Sequence, residues 1–347
     1  MKLKGVSYDV GRVMGINWRP NFDPKVVHRE LEIIKKDLHC SAVRICGLNI
    51  DRLMIAAEDA LKQGLEVWLS PELWDKSQEK TLQYITKAAT AAESLCQKWP
   101  EQMVLSVGSE FTLFMQGIIE GRRFMDRLRN PKNWVRVKAG EHNKPLNKFL
   151  TKANDAVRKE FHGKVTYASL IWEAVDWKLF DFVGVDHYRS SRIKDRYVEM
   201  LKPLFAYGRP VVITEFGYGT YQCAEIAAES AGQDVDYITL FLHTIPFFGR
   251  FVRPKIKGNH VRDEGWQARQ LVDQLNVLDS AGVDGAFIFQ FVSQISPYSD
   301  NPKYDLDMAS TSLVKSYTDG KHGITYPDMP WEPKESFKAV ADYYRSG

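Results

Sequence analysis

Short apolar runs alternate with amphipathic stretches along almost the whole chain. Runs rich in β-branched and aromatic residues begin near Gly5, Ala42, Glu66, Val104, Val165, Phe182, Val211 and Val283. Each is bounded by Gly, Asp, Asn or Pro, and together they predict eight strands. Between most of them the apolar positions fall at helical spacing. Residues 24–37 place Val26, Val27, Leu31 and Ile34 along one face, and residues 50–63 run into Gly64, a residue suited to a helix C-terminus. The same spacing predicts helices over 79–98, 145–160, 194–207, 265–280 and 334–345.

Strand and helix thus alternate without a break of composition, which predicts an α/β protein: a (β/α)8 TIM barrel, one domain over residues 1–347. The joint between the fifth and sixth strands is the weak one, because residues 171–180 barely suffice for a crossover helix. Two connections, about 111–143 after the fourth strand and 218–264 after the seventh, exceed what a barrel needs. Long loops in a compact domain are usually functional, so both are expected to wall a cleft. No internal repeat or low-complexity tract is present.

Composition narrows the possibilities only a little. The 347 residues are 44% hydrophobic and 26% charged, enough to bury a sizeable core. A net charge of +3 is too mild for the concentrated basic stripe of a nucleic-acid-binding protein. No apolar stretch approaches a membrane span, and the N-terminal residues lack the apolar core of a secretion signal, so a cytoplasmic location is expected. Cys40, Cys46, Cys96 and Cys223 show no CxxC spacing, and the eight histidines form no HxH pair. Neither a metal nor another cofactor is implied.

Candidate chemistry comes from two runs of one form. Val104–Glu110 and Val211–Glu215 are apolar strands that each end on a glutamate two residues from a glycine, Gly108 in one and Gly217 in the other. In a parallel barrel the C-terminal strand ends open into one cleft. Reading those ends in order collects Tyr8, Asp9, Arg44, Glu72, Trp74, Ser109, Glu110, Trp172, Glu173, Asp186, His187, Tyr188, Glu215, Gln290 and Phe291. Asp9, Glu72 and Glu173 either contact substrate or act as caps and ion-pair partners. Trp74 and Trp172 offer flat faces of the kind sugars stack on. His187 alternates to the opposite side from Asp186 and Tyr188, and reads as a packing residue.

A glutamate at the end of the fourth strand and another at the end of the seventh, with an arginine ending the second and a tyrosine the sixth, resemble clan A of the retaining glycoside hydrolases. The resemblance spans Gly5 to about Tyr344, including the closing segment Trp331 to Tyr344. It implies Glu110 as acid/base and Glu215 as nucleophile, with Arg44 and Tyr188 supporting Glu215, cleavage of a β-glycosidic bond, and a roughly 5–5.5 Å carboxylate separation. The chain departs from the clan pattern twice. Ser109 stands where members carry asparagine, and Gln290 or Phe291 where many carry a tryptophan beneath the sugar.

A resemblance to bacterial proteins labelled as abortive infection proteins implies no chemistry. It is the ground for the alternative of a phage-defence protein, while Ser109 and the missing tryptophan support the alternative of a carbohydrate-binding protein on a weakened barrel. The implied partner is an oligosaccharide or glycoside, anionic if the basic residues of the two loops (Arg122, Arg123, Arg127 and Arg136; Arg250, Arg253 and Arg262) border the cleft. Asp300, Asp305 and Asp307 lack calcium-loop spacing and read as a polar turn. The sugar, the endo or exo mode and the oligomeric state stay open.

Overall fold

Eight parallel strands close into a barrel in which sequence neighbours are also spatial neighbours. The structure is a computed structural model that describes residues 1–224, 234–243, 245, 247–318 and 320–346. The strands are β1 (Leu3–Asp9), β2 (Ala42–Gly47), β3 (Glu66–Pro71), β4 (Met103–Ser109), β5 (Lys164–Leu170), β6 (Val183–Asp186), β7 (Val211–Phe216) and β8 (Gly285–Ile288). All eight runs anticipated from the apolar pattern are present, and β8 pairs back onto β1 through Leu3↔Gly285 to Val6↔Ile288.

Helices α1 (Pro24–Lys36), α2 (Ile50–Lys62), α3 (Gln78–Cys96), α4 (Asn143–Glu160), α5 (Tyr197–Phe205), α6 (Glu264–Ser280) and α7 (Glu335–Ser346) surround the barrel. Their starts follow the expected chemistry. Asp23, Asn49, Ser77 and Asp263 each accept a hydrogen bond from a backbone N–H in the first turn of α1, α2, α3 and α6. The weak joint between β5 and β6 carries only a 3-10 turn, Trp177–Leu179.

Alternation along the strands explains where polar side chains enter the barrel. Ala42, Trp68, Val104, Val212 and Phe287 form a separate buried apolar cluster, with Trp68 packed on Phe182 and Phe287 at 4.9 and 5.2 Å. Two residues further along each strand the same inward face carries Arg44, Ser70, Ser106 and Thr214, all buried. An apolar floor therefore supports a polar layer, which opens toward the C-terminal strand ends.

The connection after β4 contains short helices Phe111–Phe114, Phe124–Arg129 and Pro131–Lys138. Arg127, one of the basic residues of this loop, is fully buried and binds the connection together. Its Nε donates to Leu113 O at 2.5 Å, Nη1 donates to Gly121 O at 3.1 Å, and Nη2 pairs with Asp75. In the connection after β7, residues 225–233, 244 and 246 lie outside the described residues. Arg262 at its end pairs with Asp305 at 2.9 Å and Asp307 at 3.0 Å, so these two aspartates of the expected polar turn serve to join loops. Lys334, fully buried just ahead of α7, pairs with Asp307 at 2.9 Å. No described helix is long and apolar enough to cross a membrane.

Glu30 ties α1 to the rest of the barrel. Buried to 1% exposure, it accepts from the Tyr8 hydroxyl, from Arg19 at 2.5 Å and from Trp331 Nε1 at 2.8 Å. Removing it leaves a buried guanidinium without its partner, a loss that typically costs several kcal/mol. Glu30→Ala is expected to lower unfolding stability by about 3–5 kcal/mol in urea titration, with unchanged slope. A loss below about 1 kcal/mol would show that the cluster is solvated.

Candidate active site

One carboxylate oxygen from each of Glu110, Asp186 and Glu215 lies within 4.8 Å of the others. The local backbone builds this convergence. β6 and β7 run in register as far as Val185↔Ile213, and then Asp186 pairs with Glu215, so one residue of β7, Thr214, is skipped. That irregularity sets Asp186 beside Glu215, and the Thr214 hydroxyl donates to Asp186 Oδ1 at 2.5 Å.

Glu110 arrives by a different route. It sits in the left-handed backbone region at φ 47°, directly after β4, with its N–H donating to Ala168 O at 2.8 Å. Gly108, two residues earlier, has φ 149°, and a Cβ there would stand 2.1 Å from the Phe111 ring. Only glycine fits. Phe111 is in turn stacked on Tyr167 at 5.3 Å and receives the Tyr167 hydroxyl oxygen on its N–H at 2.7 Å. A rare backbone conformation at Glu110 is thus held by the packing around it. Glu110 is half-buried, whereas Asp186 and Glu215 are buried.

Two guanidiniums hold Glu215. Arg44 Nη1 donates to Oε1 at 2.5 Å and Arg12 Nη2 donates to the same oxygen at 2.8 Å, while the Tyr188 hydroxyl donates to Oε2 at 3.2 Å. Arg12 also forks onto Glu72, with Nε to Oε2 at 2.9 Å and Nη2 to Oε1 at 3.0 Å. Arg44 reaches Ser70 at 3.1 Å. Glu72 is therefore an ion-pair partner beneath the cluster.

Charges and burial push the carboxyls apart. Burial alone would raise Glu215, but Arg12 and Arg44 outweigh it and hold this carboxyl below its ordinary range. Among the described residues no cation pairs with Glu110. Burial, then the charges of Asp186 and Glu215, push it well above the ordinary glutamate value. Asp186 is pushed up to about 8 by burial and by Glu215, against the opposing pull of Arg44, Thr214 and Ser109. The group titrates as one coupled unit.

The remaining candidates are placed as follows. Ser109 donates to Asp186 Oδ2 at 3.1 Å. Asp9 acts as a cap, accepting from Gly11 N at 2.6 Å and Arg12 N at 2.9 Å, and so aims Arg12. Glu173, pushed up to about 7 mainly by burial, accepts from Thr112 N at 3.1 Å and the Tyr167 hydroxyl at 3.0 Å. It holds the turn that follows Glu110. Trp74 stacks on Phe114 at 4.2 Å and meets Trp18 edge-on, and Trp18 in turn lies under Arg12 at 5.9 Å. Trp172 is half-buried against Trp134 and His142. His187 stacks on Tyr197 at 4.0 Å as a packing residue.

Phe291 is not brought to the cluster. It is fully buried and packs on Tyr8, Trp331 and Phe337, so no ligand can lie on its ring. The reason is that β8 ends at Ile288, and its continuation pairs with β1 through Phe291 N to Ser7 O at 2.9 Å. Phe289 instead takes the position at the rim, with Arg12 over its ring at 4.8 Å.

Sequence reasoning missed Arg12 and Phe289. Arg12 lies three residues beyond β1, outside any strand-end reading, and the Asp9-x-x-Arg12 spacing was its one available signal. Three carboxylates at this spacing are also spaced to share a divalent cation. Glu215, however, already carries two guanidiniums, whose positive charge opposes a further cation on it.

No protein-family model matches the sequence, and no curated protein matches it significantly. Solved structures do resemble it. A GH113 β-1,4-mannanase aligns over 100% of both chains with a TM-score of 0.63 at 13% identity. The GH113 β-mannanase of Alicyclobacillus acidocaldarius gives 0.61 at 13% identity over 99% of this chain and 97% of its own. Bacteroides uniformis β-glucuronidase 2 gives 0.56 at 14% identity over 99% of this chain and 35% of that longer one. At such identities the likeness is one of fold. The chain shares the eight-stranded barrel of these glycosidases.

Gly108→Ala is expected to displace the Phe111 turn and lower stability by about 2 kcal/mol, measured by thermal and urea unfolding. Wild-type stability in this variant would contradict the close approach.

Proposed function

We propose that the chain is a retaining glycoside hydrolase that cleaves a β-glycosidic bond by double displacement. The observation that carries this is the opposed proton affinity of two neighbouring carboxyls, Glu215 held ionised by Arg12 and Arg44 and Glu110 held protonated by burial and anionic neighbours. One oxygen of each carboxyl lies within 4.8 Å of the other, which supports the close pairing of a retaining enzyme over the wider spacing of an inverting one.

In the first step Glu215 attacks the anomeric carbon as the bond to the leaving oxygen breaks, and Glu110 gives that oxygen its proton. Attack neutralises Glu215, which removes one of the charges that raise Glu110. Glu110 then takes a proton from water, the water oxygen displaces Glu215 from the anomeric carbon, and both carboxyls return to their starting states. Arg12 and Arg44 favour the second step, because they stabilise the departing carboxylate.

The mannanases and the glucuronidase that share the fold suggest which substrates to try first. Support for an anionic sugar is reduced by Arg127 and Arg262, both already engaged in ion pairs.

The test is a panel of aryl β-mannosides, β-glucosides and β-glucuronides, with β-1,4-mannan as polymer. On the substrate cleaved, Glu215→Gln is expected to abolish turnover. Glu110→Gln is expected to lose about 10²–10⁴-fold on a poor leaving group and much less on a dinitrophenyl glycoside. Undiminished turnover by Glu215→Gln, or by Glu110→Gln on the poor leaving group, would refute the assignment. The profile of kcat/KM is expected to be bell-shaped, with its acid limb below the ordinary glutamate range and its alkaline limb above neutrality. Arg12→Met removes a cation from Glu215, so the acid limb is expected to move upward in pH. A limb that stays put or moves down would show that Arg12 does not tune it.

A further inference from the structure

The double displacement uses two of the three converging carboxyls and leaves Asp186 without a task. It is 3% exposed and stands within 4.8 Å of both reacting groups. Resting on the reading above, we infer that Asp186 is a specificity-determining residue that donates a hydrogen bond, as a neutral carboxylic acid, to the oxygen on the sugar carbon next to the anomeric centre.

The argument is geometric first. In a near-attack arrangement the anomeric carbon stands about 3–3.5 Å from the attacking oxygen, so the substituent on the adjacent carbon is held close to that same oxygen by the covalent ring. A side chain packed against Glu215 is placed to meet it. Asp186 is paired with Glu215 in the sheet register, and its carboxyl plane is fixed from both sides, by Thr214 on Oδ1 and Ser109 on Oδ2. Thr214 lies on the neighbouring strand β7 and Ser109 at the end of β4, one strand further round the barrel, so the carboxyl is held from two directions.

Charge decides the form it takes. The groups facing Asp186 are Glu215 from β7, Glu110 after β4, Tyr188 on its own segment and Arg44 from β2. Arg44 is the sole cation among them and already donates to Glu215. Two carboxylates packed this closely cannot both stay ionised, and the one with two guanidiniums keeps the charge. Asp186 is therefore the partner that retains a proton near neutral pH.

A neutral carboxyl carries one O–H donor and one carbonyl acceptor in a plane, the same pattern as a carboxamide. The shorter Ser109 side chain does not offer that pattern, and here its hydroxyl is turned onto Asp186. The pair together thus presents a planar donor and acceptor to the substrate. Deprotonation of Asp186 would remove the donor and set a second negative charge against Glu215 and against electron-rich sugar oxygens.

The experiment compares para-nitrophenyl β-glucopyranoside, its C2 epimer the β-mannopyranoside, and the 2-deoxy analogue that the two share. With the wild type, the epimer bearing the recognised hydroxyl is preferred over the 2-deoxy compound. Asp186→Ala is expected to lower kcat/KM on that epimer about 100-fold and on the 2-deoxy compound less than about fivefold, because a lost bidentate-type contact matters only where its partner exists. Asp186→Asn restores the carboxamide equivalent, and is expected to recover at least tenfold over Asp186→Ala on the hydroxylated epimer alone.

Equal losses on the hydroxylated and deoxy substrates, or no difference between the Asn and Ala variants, would overturn the assignment of Asp186 and leave the double displacement standing. A folded wild type that turns over none of the three sugars nor any of the wider panel would overturn both.

Discussion

The site rests on one constraint: a buried carboxylate, Glu215, shared by two buried guanidiniums. Arg12 and Arg44 come from opposite sides of the chain's first crossover, one just past β1 and one within β2, and both donate to the same oxygen of Glu215. An ion cluster taken out of water is stable only when every charge is answered. Glu72 supplies the second anion, Asp9 aims Arg12 through its backbone, and Ser70 takes a further Arg44 hydrogen. The result is a carboxylate that stays charged in an apolar surround.

Everything else in the cluster follows from that fixed charge. With Glu215 ionised, Glu110 and Asp186 face an anion without a cation of their own, and each holds its proton more firmly. The backbone devices make the crowding possible: a left-handed residue at Glu110, backed by Gly108, and a skipped residue in β7 that brings Glu215 level with Asp186. Gly217 contributes a second close approach, since a Cβ there would lie 2.5 Å from the Phe289 carbonyl oxygen.

Much of this was legible in the chain. Apolar runs marked all eight strands, because a parallel barrel buries both faces of each strand and so writes continuous hydrophobic segments. Strand-end position brought Glu110, Glu215, Arg44, Tyr188 and Asp186 to one face. What escaped was whatever depends on a local irregularity. Arg12 lies in a loop, where no periodicity points to a direction. The skip at Thr214 is invisible in a run that reads as regular alternation, so the contact between Asp186 and Glu215 could not be foreseen. The segment Phe287-Ile288-Phe289-Gln290-Phe291 offers three aromatics with nothing to show where pairing stops. Phe291 was consequently expected at a rim that Phe289 occupies. Arg127 and Arg262 could be read as cleft-bordering charges because sequence shows a charge and not its partner.

The central claim is that Glu215, among the three converging carboxyls, is the one ionised and positioned to attack carbon. Cyclophellitol-type aziridines of gluco, manno and glucurono configuration present an electrophilic carbon in a sugar-shaped frame that keeps the neighbouring hydroxyl. Incubation with each, followed by peptide mass spectrometry, tests the claim most directly. The account predicts a single adduct on the Glu215 peptide with at least one of them, absent in Glu215→Gln. An adduct on Glu110, Asp186 or Glu72, or no adduct with a reagent whose matching glycoside the protein cleaves, would contradict it.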